Sequence, residues 1–269
     1  ITLDLSESQG LVTISPASSN TSVFKDCKKL VSVVFPSSLT TIGSYAFYNC
    51  DALESVEIIG TETIGNSAFY SCKKLRNVYL KDVSTIGTYA FGNCQSLQNV
   101  YLESIKTVGN YAFGYSSNGD YTSNNKMLDS VVLSNITTIG RYAFGYAINL
   151  NLIDMKNITT IMEFAFIGCS ALSAVNIDAV TVEKGAFESC TSLTAVTIGT
   201  RVKELLNYGV KDNYHSVFQG CNVLTSITFE NTNNWNYKYS DTSYSPVDVT
   251  NAATNVTRLR YCTTPWCRK

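Results

Sequence analysis

The chain repeats one short motif at a nearly constant interval, and this repetition constrains its fold more than any other feature. A phenylalanine, usually preceded by alanine, returns nine times, at Phe24, Phe47, Phe69, Phe91, Phe113, Phe144, Phe166, Phe187 and Phe218. The spacings are 23, 22, 22, 22, 31, 22, 21 and 31 residues, so each long interval is one 22-residue unit with nine added residues. A unit of this length cannot bury its own apolar side, whereas stacked units share a continuous core. The spacing therefore predicts a solenoid of about nine repeats.

A second apolar block follows each of these anchor phenylalanines and predicts a short β-strand. Residues 53–58 show its form, Leu-x-x-Val-x-Ile, in which apolar and polar residues alternate. Such alternation is typical of a strand with one buried face. Stacked coils bring these strands side by side and in parallel, about 4.8 Å apart. The predicted fold is a mainly parallel β solenoid whose strands are joined by short turns or 3-10 segments.

Small residues mark the close contacts that we expect between coils. The alanine before each anchor is expected where two backbone layers approach too closely for a larger side chain. Most units contain a further isoleucine, four residues before the alanine, which we call the second isoleucine. A glycine follows it, as at Gly43 and Gly87. We expect this glycine to occupy a tight corner that needs a positive φ angle.

Seven of the nine cysteines lie three residues after an anchor, at Cys27, Cys50, Cys72, Cys94, Cys169, Cys190 and Cys221. In stacked coils they would be near 4.8 Å apart, but parallel Cβ directions disfavour disulfides between them. We expect buried free thiols that pack as small apolar groups. A reactive or metal-binding row of thiols is the alternative.

The full repeat, Ile-Gly-x-x-Ala-Phe-x-x-Cys-x-x-Leu-x-x-Val-x-Ile, resembles the BspA-type leucine-rich repeat of bacterial surface proteins over residues 24–229. The resemblance implies a curved leucine-rich-repeat solenoid with a parallel sheet and little α-helix. It also implies adhesion, because proteins of this type are associated with binding of matrix proteins such as fibronectin and fibrinogen. The sequence departs from the pattern where the fifth and sixth units lack cysteine, at Tyr115, Ser116 and Ala147, and at positions 205–209, where no Ile-Gly pair is recognisable.

The remaining segments are predicted to be ends and insertions. Residues 1–23 are interpreted as an N-terminal cap or degenerate repeat, and residues 230–269 as a C-terminal cap or tail. The insertions fall near 114–126 and 199–216, and we expect one helical turn at 202–206 in the second. Cys262 and Cys267 lie close together in the C-terminal segment. A local disulfide and two free thiols stay open as alternatives there.

Composition excludes several classes of function. The chain carries 20 Lys+Arg against 21 Asp+Glu and no basic run, so we expect no nucleic-acid partner. No stretch of 18 apolar residues is present, and we expect neither membrane insertion nor a signal peptide. The single histidine, His215, is expected at the surface. No catalytic motif is recognisable, so we predict no enzyme activity, no catalytic residues, no metal and no cofactor.

Outward-facing residues predict two columns on the surface. We call Glu57, Tyr79, Tyr101, Val132 and Asp154, which lie between Val and Ile of successive blocks, the strand ladder. It is the predicted ligand-binding face, since repeat proteins present such faces to partners. We call Tyr45, Tyr89, Tyr111, Tyr142 and Phe164, which precede the buried alanines, the turn ladder. Its rings are expected to pack edge to edge and shield the turns, with ligand binding as the alternative.

The leading hypothesis is a non-enzymatic, adhesin-like recognition module at the cell surface or outside the cell. By family resemblance, its partner would be a host or matrix protein or a glycan, and we expect a monomer. One alternative is a structural spacer that displays other domains of a surface protein. Another is a glycan-processing enzyme whose acids meet by stacking of coils.

Overall fold

The computed structural model describes residues 1–15, 22–114, 125–206, 215–233, 235–238, 244–246, 248–261 and 266–268.

The chain winds into a solenoid in which most coils carry two short strands. We call the strand from the Leu-x-x-Val-x-Ile block the front strand, and the strand that contains the second isoleucine the back strand. Numbered in chain order, the front strands are β1 (Thr2–Asp4), β3 (Ser32–Val34), β5 (Ser55–Ile59), β7 (Asn77–Lys81), β9 (Asn99–Glu103), β11 (Ser130–Ser134), β13 (Leu152–Lys156), β15 (Ala174–Ile177), β17 (Ala195–Ile198) and β19 (Ser226–Phe229). The back strands are β2 (Thr13–Ile14), β4 (Thr41–Ile42), β6 (Thr63–Ile64), β8 (Thr85–Ile86), β10 (Thr107–Val108), β12 (Thr138–Ile139), β14 (Ile158–Ile161), β16 (Ala179–Val182) and β18 (Glu204–Leu205).

Equivalent strands of successive coils pair side by side and in parallel. The back strands form one continuous run from β2 to β18. The front strands form three sheets, β1-β3, β5-β7-β9-β11-β13 and β15-β17-β19. The register advances by one repeat per strand, so that Val56, Val78 and Val100 are direct neighbours. The parallel solenoid predicted from the repeat is therefore confirmed.

The front sheet is interrupted at two places where the repeat changes length. The first unit spans 23 residues, from Phe24 to Phe47, and the first break lies between β3 and β5. The unit from Phe166 to Phe187 spans 21 residues, and the second break lies between β13 and β15. Pairing of β15 with β17 persists although their units also differ in length. A change in length thus permits an interruption without imposing one.

The nine anchor phenylalanines form one column of stacked rings. Successive ring centroids are 5.0, 5.1, 5.0, 5.1, 5.3, 5.3, 5.2 and 5.8 Å apart, and no interplanar angle exceeds 18°. All except Phe24 are fully buried. Offset parallel rings gain stabilisation beyond the burial of their area. The column crosses both 31-residue intervals, so the added residues leave the stacking of coils intact.

Six buried cysteines use their thiols to satisfy backbone carbonyls of the preceding coil. Cys72 Sγ donates to Phe47 O at 3.3 Å, and equivalent bonds join Cys50 to Phe24, Cys94 to Phe69, Cys169 to Phe144, Cys190 to Phe166 and Cys221 to Phe187. Burial raises the pKa of the Cys94 and Cys169 thiols to about 12. The thiols of Cys94 and Cys169 are free and stay protonated near neutral pH, so they can donate hydrogen bonds to the backbone.

Asn125 supplies the donors that the fifth and sixth units lack. It lies three residues before Leu128, the spacing that separates cysteine from leucine in the other units. Its Nδ2 donates to Phe91 O at 3.0 Å and to Phe113 O at 2.9 Å. Cysteines of the fifth and sixth units would serve these two carbonyls, but the sixth unit has Ala147 in that position. One amide with two N–H donors therefore replaces two thiols.

The glycine after the second isoleucine is required by close packing between coils. A Cβ on Gly87 would lie 2.6 Å from the carbonyl carbon of Gly65, and one on Gly109 would lie 2.5 Å from Ile86 O. Neither Gly87 nor Gly109 has a positive φ, so that prediction is wrong. The residue with a left-handed backbone conformation lies two positions after the glycine, as at Tyr89, where φ is 57°.

The insertions lie partly outside the described residues, at positions 115–124 and 207–214. Tyr115 and Ser116, where the sequence pattern lacks a cysteine, are among them. The predicted helical turn at 202–206 is wrong, because Glu204 and Leu205 form β18. Leu205 is buried and pairs with Val182, so it fills the second-isoleucine position of its coil.

Antiparallel strands follow the last front strand and end the back sheet. They are β20 (Trp235–Lys238), β21 (Tyr244–Pro246) and β22 (Trp266–Arg268), with the helix α1 (Ala252–Tyr261) between the last two. β22 pairs with both β18 and β20, and β21 pairs with β20. Trp235 is buried, with its ring 5.0 Å from that of Phe229. The domain boundaries at 23/24 and 229/230 stay predictions.

Phe91→Ala should lower the free energy of unfolding by about 3–5 kcal/mol, because it opens a cavity inside the ring column. Phe24→Ala is the matched control, since Phe24 is partly exposed at the end of the column. We expect a clearly smaller loss for it. Urea unfolding followed by circular dichroism measures both variants, and equal losses would contradict the stacked column.

Asn125→Ala should cost about 2–4 kcal/mol, because two buried carbonyls lose their donor. The double variant Asn125→Cys/Ala147→Cys returns a thiol to both positions of the cysteine column. In reducing buffer, it should unfold at a higher urea concentration than Asn125→Ala. A double variant no more stable than the alanine variant would show that the two carbonyls do not need these donors.

Candidate functional site

The five residues of the strand ladder lie side by side on one sheet. Glu57, Tyr79, Tyr101, Val132 and Asp154 are successive direct partners across β5, β7, β9, β11 and β13. Alternation within each front strand turns the flanking Val and Ile-type residues into the core and leaves the residue between them outside. Neighbouring ladder positions are about 4.8 Å apart, one strand spacing. The structure therefore brings together all five residues of the predicted face.

The strand ladder is accessible to solvent along its length. Tyr101 is 42% exposed. Glu57 and Asp154 are also exposed, and Tyr79 and Val132 are half-buried. The face thus combines two phenol rings and an aliphatic side chain with a carboxylate at each end.

The C-terminal end of the strand ladder borders a polar groove of about 300 Å³. It lies beside the break between β13 and β15, and Asp154, Asp178 and Glu230 are among its lining residues. Arg201 lies 3.7 Å from the carboxylate of Asp178, so part of this acidic charge is balanced within the chain.

The turn ladder is a stack whose ring faces contact one another. The centroids of Tyr89, Tyr111, Tyr142 and Phe164 are 4.8, 5.0 and 5.1 Å apart, with interplanar angles of at most 19°. The prediction of edge-to-edge packing is wrong, because the coils stack in register and place equivalent rings face to face. Arg141 adds a cation over the rings of Tyr142 and Phe164, at 5.2 and 5.6 Å.

Two tyrosines that sequence analysis missed connect Tyr45 to this stack. Tyr45 contacts Tyr48 at 5.7 Å between centroids, Tyr48 stacks on Tyr70 at 5.4 Å, and Tyr70 meets Tyr89 edge-on at 6.3 Å. Tyr48 and Tyr70 each follow an anchor phenylalanine directly, and that repeated position is the signal that could have identified them. Because the stacked rings occupy one another's faces, the geometry favours a packing role for the turn ladder.

His215 is held by two packing partners at the end of the turn ladder. Its Nδ1 lies 2.6 Å from Glu188 Oε2, and its ring meets Phe164 edge-on at 5.0 Å. Burial raises the pKa of the Glu188 carboxyl, and the imidazole opposes that shift. The side chain is 25% exposed, so the expected surface histidine is a packed one.

The described ranges contain neither a cluster of metal ligands nor a membrane-spanning helix. No group of three or more His, Cys, Asp or Glu side chains there is placed to hold a metal ion. No helix in the same ranges has both the length and the apolar character needed to cross a membrane. Cys262 lies outside the described residues, and only the backbone of Cys267 is described, in β22. A disulfide between them and two free thiols therefore both stay open as alternatives.

The solved structures that resemble this chain include three bacterial proteins. A leucine-rich repeat protein from Bacteroides ovatus has a TM-score of 0.58 and 24% identity, over 84% of this chain and 57% of that one. A leucine-rich cell surface protein from Faecalibacterium prausnitzii has a TM-score of 0.38 and 19% identity, over 78% and 68% of the two chains. The pneumococcal vaccine antigen PcpA has a TM-score of 0.36 and 19% identity, over 90% and 77%.

The first of these likenesses supports the leucine-rich-repeat fold. The chain spans only 57% of the length of the Bacteroides ovatus protein. No curated protein matches the chain. The family model of the BspA-type leucine-rich repeat region, in six copies, matches residues 13–120 and 118–239. These two ranges contain all nine anchor phenylalanines, and the chain belongs to the BspA-type leucine-rich repeat family.

Proposed function

We propose that this chain is a non-enzymatic recognition module of a cell-surface or secreted protein, which binds host or neighbouring-cell proteins or glycans as a monomer. The observation that carries the proposal is the strand ladder, in which five outward residues stand in direct register on a solvent-exposed sheet. Aromatic side chains are enriched at binding interfaces, and Tyr79 and Tyr101 occupy adjacent strands of this face. Membership in a leucine-rich repeat family supports a binding or display role.

Two alternatives make different demands on the same surface. A glycan-processing enzyme would need two carboxyl groups about 5–10 Å apart. Glu57 and Asp154 are separated by four strand spacings, about 19 Å, so the strand ladder does not supply such a pair. A structural spacer would bind no ligand and would tolerate changes on both ladders.

Tyr79→Ala/Tyr101→Ala should weaken binding by about tenfold or more, because it removes the aromatic contacts of the face. The measurement is biolayer interferometry against fibronectin, fibrinogen and a panel of glycans. Tyr111→Ala/Tyr142→Ala is the matched control, which should lower the melting temperature and leave binding unchanged. Binding that survives loss of Tyr79 and Tyr101 would reject the strand ladder as the binding face. A chain that binds none of these probes would favour the spacer.

A further inference from the structure

We propose that the groove between β3 and β5 anchors a polypeptide ligand through an aliphatic side chain next to a lysine or arginine, with Glu57 pairing with that cation. This inference rests on the proposed binding function. It names a basic, apolar peptide segment as the ligand class at the N-terminal end of the strand ladder.

The groove exists because the first coil leaves the front sheet. β3 has three residues and β5 has five, and the two strands belong to different sheets. Pro36 stands six residues after Leu30, the position that Ile59 occupies in the next coil. Proline is confined to edges, ends and bulges of sheets, and β3 ends two residues before Pro36. The extra residue of the 23-residue unit lies in the same connection, and a groove of about 420 Å³ opens there.

The walls of the groove are apolar and open to solvent. Val34 is 44% exposed and Ile59 is 53% exposed, one on each side of the break. Val33, Phe35 and Pro36 complete the apolar lining. Covering such side chains with a ligand removes apolar surface from water, which contributes about 25 cal/mol per Å². The groove therefore favours a ligand that inserts an aliphatic side chain.

Glu57 gives the groove its charge preference. It is the charged residue among the lining side chains, and it is exposed. On the same sheet, the carboxylate of Glu103 is paired with Lys81 at 3.0 Å. Glu57 has no comparable cation within the described part of the chain. A cation of the ligand can therefore serve as the counterion of this carboxylate, which lies beside the aliphatic walls.

Lysine and arginine fit this combination better than a sugar does. Their alkyl stems pack on apolar surface while the charged end reaches an acidic partner. The hydroxyl groups of a glycan need several polar partners, and Glu57 and Ser37 are the polar side chains in the lining. Tyr79, the register partner of Glu57, continues the surface toward Tyr101, so a longer peptide extends along the strand ladder.

The test is selection of a phage-displayed random peptide library on the intact chain, followed by affinity measurement with the enriched peptides made synthetically. We expect the enriched sequences to place Lys or Arg next to Leu, Ile, Val or Phe. Glu57→Gln should weaken their binding about tenfold, and added salt should weaken it further. Ile59→Ser should also weaken binding. Glu103→Gln is the matched control on the same sheet and should leave the affinity unchanged.

Several outcomes would overturn this inference. Failure to enrich any peptide, enrichment of peptides without basic residues, or equal affinity for wild type and Glu57→Gln would each do so. Melting temperatures of the variants check that these exposed substitutions leave the fold intact. Binding of fibronectin, fibrinogen or a glycan that needs Tyr79 and Tyr101, but neither Glu57 nor Ile59, would remove the groove and retain the proposed function. Peptide binding that needs Glu57 but not the tyrosines would support the groove and would limit the binding face to the N-terminal end of the strand ladder.

Discussion

The stacking of one phenylalanine ring on the next fixes the position of every coil, and the rest of the structure depends on it. Because neighbouring centroids stay between 5.0 and 5.8 Å apart, no coil is displaced along the column. The thiol bonds to phenylalanine carbonyls follow the same spacing and add a polar link between coils. The strand ladder is a consequence, since side chains at one position of successive coils fall into register only if the coils do.

Irregular units are accommodated where they leave this column intact, and they shape the outer surface. The insertion after Phe113 ends at Asn125, whose amide restores the link to both neighbouring carbonyls. The units of 23 and 21 residues interrupt the front sheet, while the back sheet continues past them. Both breaks border grooves, one apolar beside Glu57 and one acidic beside Asp154. The departures from regularity therefore give the two ends of the strand ladder different chemistry.

The columns of the core could be predicted from sequence because each depends only on equal spacing within the repeat. The members of the strand ladder follow from the same alternation of buried and exposed residues. Asn125 was missed because its role appears only when positions are counted back from Leu128 and not forward from Phe113. The corner glycines were misjudged because their constraint is a contact with another coil, as Gly87 makes with Gly65, and a single repeat does not reveal it. The contact of His215 with Glu188 joins an insertion to a turn 27 residues away, which no periodicity encodes.

The central claim is that one ring column runs through the whole solenoid, including the intervals with added residues. Nuclear Overhauser contacts between the ring protons of Phe113 and Phe144, in a chain with specifically assigned phenylalanines, test it most directly. The structure places these centroids 5.3 Å apart across a 31-residue interval, so a clear cross-peak is predicted. A spectrum with contacts between Phe69 and Phe91 but none between Phe113 and Phe144 would mean that the insertion divides the chain into two cores, and would contradict the account.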